Sequence, residues 1–126
     1  DDGILPTFFP VDLNIPMISP SDVGIFVADI MTGKREIKPF YEIAGPESYS
    51  ANDIAVILGS KFDKKVKAVE ILRETWAALL EKNGFSKSGA ENMILMTDAV
   101  ILGKTQAQDE ITHTGLGFQE YIKRNF

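Results

Sequence analysis

Residue types that commonly do chemistry are sparse in this sequence. It contains one histidine, His113, and no cysteine. A histidine that acts as a general base needs a positioned partner, and the nearest acidic residues along the chain are Asp109 and Glu110. That spacing is not diagnostic of a catalytic pair, so we interpret His113 as a solvent-exposed loop residue. Metal binding needs several convergent ligands, and we therefore expect no metal site.

The usual signatures of a nucleotide site are also missing from the sequence. A Gly-rich loop that cradles a pyrophosphate lies between a strand and a helix, but Gly115-x-Gly117 is too short and follows no predicted strand. A Tyr-x-x-x-Lys pair, which would place a phenol and an ammonium on one helical face, does not occur. We therefore expect these 126 residues to bind no cofactor and to be inactive on their own.

An apolar small-molecule pocket is the one kind of site that the residue types favour. Phe8, Phe9, Pro16 and Met17 combine aromatic side chains with rigid proline backbone, which are common pocket-lining materials. Trp76 is a further candidate for the lining of this substrate pocket. The alternative is that these side chains simply pack in the core, which is the more common role of such residues.

Composition places the chain among ordinary globular domains. Its length of 126 residues suits one domain, and 44% of the residues are hydrophobic and 25% charged. The net charge of −5 disfavours nucleic-acid binding, and we interpret the only lysine cluster, residues 61–67, as a solvated turn. No apolar run reaches the ~20 residues of a membrane-spanning helix. The absence of cysteine suits the cytoplasm, where we expect the protein to be.

Periodicity and capping signals predict a helix-rich α/β fold with about three short strands and four to five helices. Ser19 and Ser50, each followed three residues later by aspartate, predict the first two helix starts. The remaining helices are expected over residues 73–83, from Ser88 onward, and over 118–124 with Thr114 as a possible cap. Strands are expected over residues 15–18, 40–44 and 66–71, and a loop over 103–117.

The first and fourth helices carry the strongest predictions of burial. In the first, the apolar spacing predicts an inward face formed by Val23, Phe26, Val27, Ile30 and Met31. In the fourth, the apolar residues occupy more than one face, which predicts burial between other elements; they are Met93, Ile94, Met96, Val100 and Ile101. Three short strands rarely form a sheet that is stable alone.

Three segments carry recognisable motifs. One is Pro16-Met-Ile-Ser-Pro-Ser-Asp-Val-Gly, and the next is Phe40-Tyr-Glu-Ile-Ala-Gly-Pro-Glu with the helix that begins Ser50-Ala-Asn-Asp-Ile-Ala. The last is Val66-Lys-Ala-Val-Glu-Ile with the helix around Trp76. In order and spacing they resemble the C-terminal half of NmrA-like proteins, which are atypical short-chain dehydrogenases/reductases. The resemblance covers residues 3 to about 103.

The resemblance implies that the nucleotide-binding part is absent from this chain. NmrA-like proteins have an N-terminal Rossmann domain that binds NAD or NADP through a Gly-rich loop, and that domain would precede Asp1. We therefore expect residues 1–126 to form a single C-terminal, substrate-side region. No catalytic residue can be carried over. The full-length protein would be an NAD(P)H-dependent oxidoreductase that acts on a small carbonyl or quinone.

The resemblance also leaves a second function open, because the family includes nucleotide sensors. On that alternative the protein is a non-catalytic NAD(P)-sensing regulatory or protein-interaction module with a protein partner. In the superfamily the strand like Phe40 to Ala44 joins the edge of the Rossmann sheet. Since its backbone groups would otherwise be unpaired, we expect the isolated chain to form a homodimer through this strand.

Overall fold

A computed structural model describes residues 3–107 and 110–126. Over these residues the chain is mixed α/β, which confirms the predicted class, with five α-helices and six short strands where about three were expected. The elements in chain order are β1 (Ile4–Thr7), β2 (Ile15–Pro16), α1 (Pro20–Met31), β3 (Glu42–Ala44), β4 (Ser48–Tyr49), α2 (Ala51–Phe62), β5 (Lys67–Glu70), α3 (Trp76–Lys82), α4 (Lys87–Ile101), β6 (Ile111–His113) and α5 (Phe118–Asn125).

The chain divides into two compact units, each built from two stretches of sequence. The first unit comprises residues 1–13 and 50–106 and contains β1, α2, β5, α3 and α4. The second comprises residues 14–49 and 107–126 and contains β2, α1, β3, β4, β6 and α5.

The first unit is organised around a parallel pair of strands. β1 pairs with β5, so that Ile4 lies opposite Lys67 and Thr7 opposite Glu70. Helix α2 packs on this pair, and α3 packs against α4. The buried apolar side chains of the unit come from all of these helices and from β5; they are Ala55, Ala68, Trp76, Leu80 and Ala90.

Helix α2 begins with the capping box that the sequence predicts. The backbone N–H of Asp53 donates to Ser50 Oγ at 3.1 Å, and the Asp53 carboxylate accepts from the Ser50 hydroxyl at 2.6 Å and from its backbone N–H at 2.9 Å. These bonds, from the hydroxyl first and then the N–H, hold the pKa of Asp53 below its ordinary value. The helix continues past Gly59 to Phe62 and ends at Asp63, whose φ is +50°.

The second unit contains two separate strand pairs. β2 and β4 pair antiparallel, whereas β3 and β6 pair in parallel with Ala44 opposite His113. Phe26 of α1 is only 2% exposed and packs edge-on against Tyr41. Ala44, Tyr49 and Ile122 are also buried in this unit.

Sequence patterns do not reveal three of the strands, which are β1, β4 and β6. Each has four residues or fewer, and its pairing partner lies far away in the chain. Pro6 in β1 also argues against a strand when it is considered locally, since proline cannot donate to a ladder. The prediction of a loop over residues 103–117 is therefore wrong for Ile111–His113.

Three predicted boundaries also need correction. The cap of α4 is Ser86, whose Oγ accepts from the backbone N–H of Gly89, rather than Ser88. The cap of α5 is Gly117 rather than Thr114. The strand expected over residues 40–44 is confined to Glu42–Ala44, and Phe40 lies outside it.

Several side chains that were expected to be buried are exposed. Val27 and Met31 of α1 are 46% and 82% exposed, and Met96 of α4 is 57% exposed. The apolar surface of both helices is wider than the face that other elements of their own unit cover. Within the described residues, no helix is long and apolar enough to cross a membrane.

Candidate ligand-binding site

The second unit contains an apolar cavity of about 190 Å³. One wall comes from the segment Met17, Ile18, Ser19 and the first residue of α1, Pro20. The other wall comes from Leu116 and from α5; its residues are Phe118 and Tyr121. A cavity with mostly apolar walls and a few polar groups is the usual form of a small-molecule site.

The start of α1 fixes the first wall. Ser19 is extended and its Oγ accepts the backbone N–H of Asp22 at 3.0 Å, as expected for an N-cap. Pro20 follows at the first helical position, where its fixed φ fits the helix and its missing N–H leaves no donor unpaired. The same short sequence signal that begins the helix therefore positions one side of the cavity.

The second wall depends on a short segment, Thr114 to Phe118, that three hydrogen bonds hold in place. The backbone N–H of Thr114 donates to the Ala44 carbonyl at 2.9 Å. The N–H of Leu116 donates to the Asp22 carboxylate at 3.1 Å, and the N–H of Phe118 donates to Tyr49 Oη at 2.9 Å. Asp22 was expected to complete a capping box, but its carboxylate binds this segment.

Glycine is required within this segment. Gly115 has a φ of +81°, and a Cβ there would lie 2.4 Å from Asp22 Oδ2. A Cβ on Gly117 would lie 2.8 Å from Glu47 Oε2 and 2.9 Å from Tyr49 Oη. The two glycines that were too few for a nucleotide loop therefore allow the segment to approach its anchoring side chains.

Tyr49 is buried, and its hydroxyl contacts the backbone of a residue in the cavity wall. It is 9% exposed, its hydroxyl donates to the Glu47 carboxylate, and the same oxygen accepts from Phe118 N–H. Burial raises the pKa of this phenol, and the hydrogen bond to Glu47 raises it further. The folded state therefore stabilises the neutral form of the Tyr49 phenol.

Replacing Tyr49 with phenylalanine should lower the free energy of unfolding by about 1–3 kcal/mol, because the half-buried N–H of Phe118 loses its acceptor. The effect should depend on pH. A raised pKa gives stability that is fully present below the unfolded pKa of 10.0 and is lost as the pH rises through the folded pKa. Urea unfolding of both proteins from about pH 8 to about pH 11 measures this, and a difference that grows above pH 10 would contradict it.

The residues predicted to form a substrate pocket lie in two different units. In the first unit, Phe8 packs edge-on against Trp76 with ring centroids 5.0 Å apart, and Trp76 is only 3% exposed. Phe9 follows, half-buried. In the second unit, Pro16 is exposed in β2 and Met17 lines the cavity.

Several cavity residues were missed by sequence reasoning. Leu116, Phe118 and Tyr121 lie about 100 residues from Met17 in the chain and share no motif with it. The only local signal was the pair Gly115 and Gly117 before a predicted helix, and its role becomes visible only once Asp22 and Glu47 lie beside it.

His113 is exposed, as expected, but it belongs to a strand and not to a loop. Its Nδ1 lies 2.8 Å from the carbonyl oxygen of Gly45, so Nδ1 carries the proton, because a carbonyl can only accept. Asp109, one of its two candidate partners from the sequence, lies outside the described residues. Among residues 3–107 and 110–126, no group of three or more His, Cys, Asp or Glu side chains is placed to hold a metal ion.

The N-terminus of α5 does not fit the pyrophosphate of NAD(P). A dinucleotide needs free backbone N–H groups and no negative charge at such a position. Here Tyr49 Oη takes the N–H of Phe118, and the Glu47 carboxylate lies beside Gly117.

Comparison with known proteins leaves the family of this chain open. No protein-family model matches it. No curated protein matches it at a significant level of similarity either.

Proposed function

We propose that this chain is the C-terminal, substrate-side region of an NmrA-like NAD(P)-binding protein whose Rossmann domain lies outside these residues. The observation that carries the proposal is that, among the residues that the structure describes, β1–β5 and β3–β6 are both parallel pairs of only two strands. Parallel strands occur almost only within larger sheets that helices cover on both faces. A pair of strands alone is marginally stable at best.

The backbone of β5 shows where such a sheet can continue. The N–H groups of Lys67 and Ile71 donate to the carbonyls of Gly3 and Thr7, both at 2.8 Å. In a parallel strand, alternate residues direct their polar groups to the same neighbour. The groups of Ala68 are therefore directed away from β1, toward the side on which a further strand would pair.

Exposed apolar surface beside β1 supports the same proposal. Ile4 is 57% exposed and Phe62 is 49% exposed, and both line a hollow of about 500 Å³ in the first unit. Exposed apolar side chains that lie together are often covered by a partner or a further domain. A preceding domain that packs here would cover these side chains.

In the full-length protein, bound NAD(P)H would supply a hydride to a small carbonyl or quinone. The residues of this chain would bind and orient that substrate and exclude water from it. The cavity of the second unit is our candidate for this role, with Met17 as its sequence-predicted member. The cysteine-free sequence supports a cytoplasmic location.

Turnover tests this function. The protein translated from the whole reading frame should oxidise NADPH when given small quinones or aldehydes. Leu116→Trp, which fills the cavity, should raise KM, whereas Leu102→Trp, at a position 65% exposed in the first unit, should not. Tight nucleotide binding without turnover of any substrate would contradict an enzymatic function and favour the function of a nucleotide sensor.

A second candidate is an interaction module, which the surface of the second unit favours. Ile25, Met31, Ile37 and Phe40 are 61%, 82%, 81% and 62% exposed. β6 occupies one edge of β3, and pairing of the other edge between two copies would give a homodimer. Light scattering should then give twice 13.9 kDa, and a monomer with native-like circular dichroism would contradict it.

A further inference from the structure

We infer that the cavity of the second unit binds a neutral ligand made of one aromatic ring with one hydrogen-bond acceptor, about the size of acetophenone. This inference deepens the proposed function. It rests on that function only because it treats the cavity as the place where the substrate binds. Four features of the cavity point to this ligand: its volume, its lining, its hydroxyl donors and the charges beside it.

The volume sets the size of the ligand. An apolar cavity of ~150 Å³ holds one benzene molecule. The cavity here has about 190 Å³. It therefore has room for a single ring with a substituent of two or three heavy atoms.

The lining favours an aromatic ring. Phe118 offers an aromatic side chain, and aromatic pairs are favourable beyond their buried area. Met17 offers a polarizable thioether, which makes favourable contacts with ring edges. Pro20 and Leu116 add rigid and branched apolar surface.

Two of the lining residues, Ser19 and Tyr121, have a side-chain hydroxyl that can donate, and we assign the ligand contact to Tyr121. Ser19 Oγ accepts from Asp22 N–H at 3.0 Å as the helix cap, which holds this hydroxyl in place and leaves its O–H able to donate. Within the described part of the chain, the Tyr121 hydroxyl has no hydrogen-bond partner. A ligand acceptor such as a ketone oxygen would give this phenol its partner.

The charges beside the cavity select a neutral ligand. The Asp22 carboxylate binds Leu116 N–H at 3.1 Å, and the Glu47 carboxylate accepts from the Tyr49 hydroxyl that in turn binds Phe118 N–H. Both carboxylates thus lie one or two hydrogen bonds from lining residues. An anionic ligand would meet repulsion from both.

Acetophenone and benzoate form a matched pair of probes, since they have nearly the same shape and differ in charge. Titration of the isotope-labelled 126-residue chain, followed by NMR, should shift the Met17 methyl and the amides of Leu116, Phe118 and Tyr121. Acetophenone should bind about 10-fold more tightly than benzoate. Equal affinities, or shifts centred on other residues, would overturn the inference.

Tyr121→Phe tests the donor while keeping the ring. It should weaken acetophenone about 5-fold and leave ethylbenzene, which has no acceptor, unchanged. Tyr41→Phe is the control, because the Tyr41 hydroxyl donates to Glu36 O at 2.6 Å and does not line the cavity. An equal loss for both ligands, or no loss for acetophenone, would contradict the assigned donor.

Leu116→Phe gives an independent test, since it reduces the cavity and keeps Tyr121. Binding of acetophenone should be lost, and unchanged binding would overturn the inference. None of these measurements uses a nucleotide. Failure here would leave NADPH oxidation by the full-length protein as a separate result, and failure of that assay would not alter the acetophenone titration.

Discussion

Replacing Gly45 with alanine should lower the free energy of unfolding by about 3 kcal/mol or more. A Cβ at this position would lie 1.9 Å from the carbonyl oxygen of Met17, 3.1 Å from its carbonyl carbon and 3.6 Å from Ile18 Cα. All of these atoms belong to the backbone, so no side-chain rotation can relieve the overlap. The clash would also displace the segment that forms the first wall of the cavity.

Gly24→Ala is the matched control for this substitution. Gly24 lies within α1, and a Cβ there meets nothing within 4 Å. Alanine should therefore stabilise the protein by about 0.5–1 kcal/mol, since glycine is the poorer helix former. Urea unfolding of the two variants gives both values. A Gly45→Ala variant as stable as the parent would show that the Gly-Pro-Glu turn does not approach Met17 as described.

Replacing Trp76 with alanine should cost about 3–5 kcal/mol of stability. The indole is 3% exposed, packs edge-on against Phe8, and donates its N–H to the Ile71 carbonyl at 2.8 Å. The substitution would leave a cavity and an unpaired carbonyl. Trp76→Phe, which keeps most of the apolar contact, should cost about 1–3 kcal/mol, mainly through the lost hydrogen bond.

Leu72→Ala is the control for Trp76, because Leu72 is 66% exposed and its loss should change stability by less than about 0.5 kcal/mol. Thermal or urea unfolding compares the variants. If Trp76→Ala were as mild as Leu72→Ala, the indole would belong to a ligand pocket and not to the core. The large loss of stability that we expect would place the indole in the core, which is the alternative that the sequence left open for this residue.

The parts of the fold that could be predicted are those with local chemistry. Two helix starts are predicted from signals that lie within four residues, and the structure confirms both; the signals are Ser19 with Pro20 and Ser50 with Asp53. β1, β4 and β6 could not be predicted because their partners lie 30 or more residues away, and short strands carry little periodicity of their own. Burial of Met31 was wrong because amphipathic spacing shows which face is apolar, not whether anything covers it.

The candidate site was predictable only in part, for the same reason. Met17 was identified from its apolar neighbours, and it lines the cavity. Phe118 and Tyr121 were identified only as helix residues, because nothing local shows that α5 faces the segment before α1. Asp22 was assigned to a helix cap, a local role, although its carboxylate binds Leu116.

Our proposal makes this chain part of a nucleotide-binding protein whose Rossmann domain lies outside these residues. Calorimetric titration with NADPH, on the protein translated from the whole reading frame and on these 126 residues, tests it most directly. We expect saturable binding by the longer protein and none by the 126-residue chain. Saturable binding by the 126 residues alone, or a longer protein that binds no nucleotide, would contradict it.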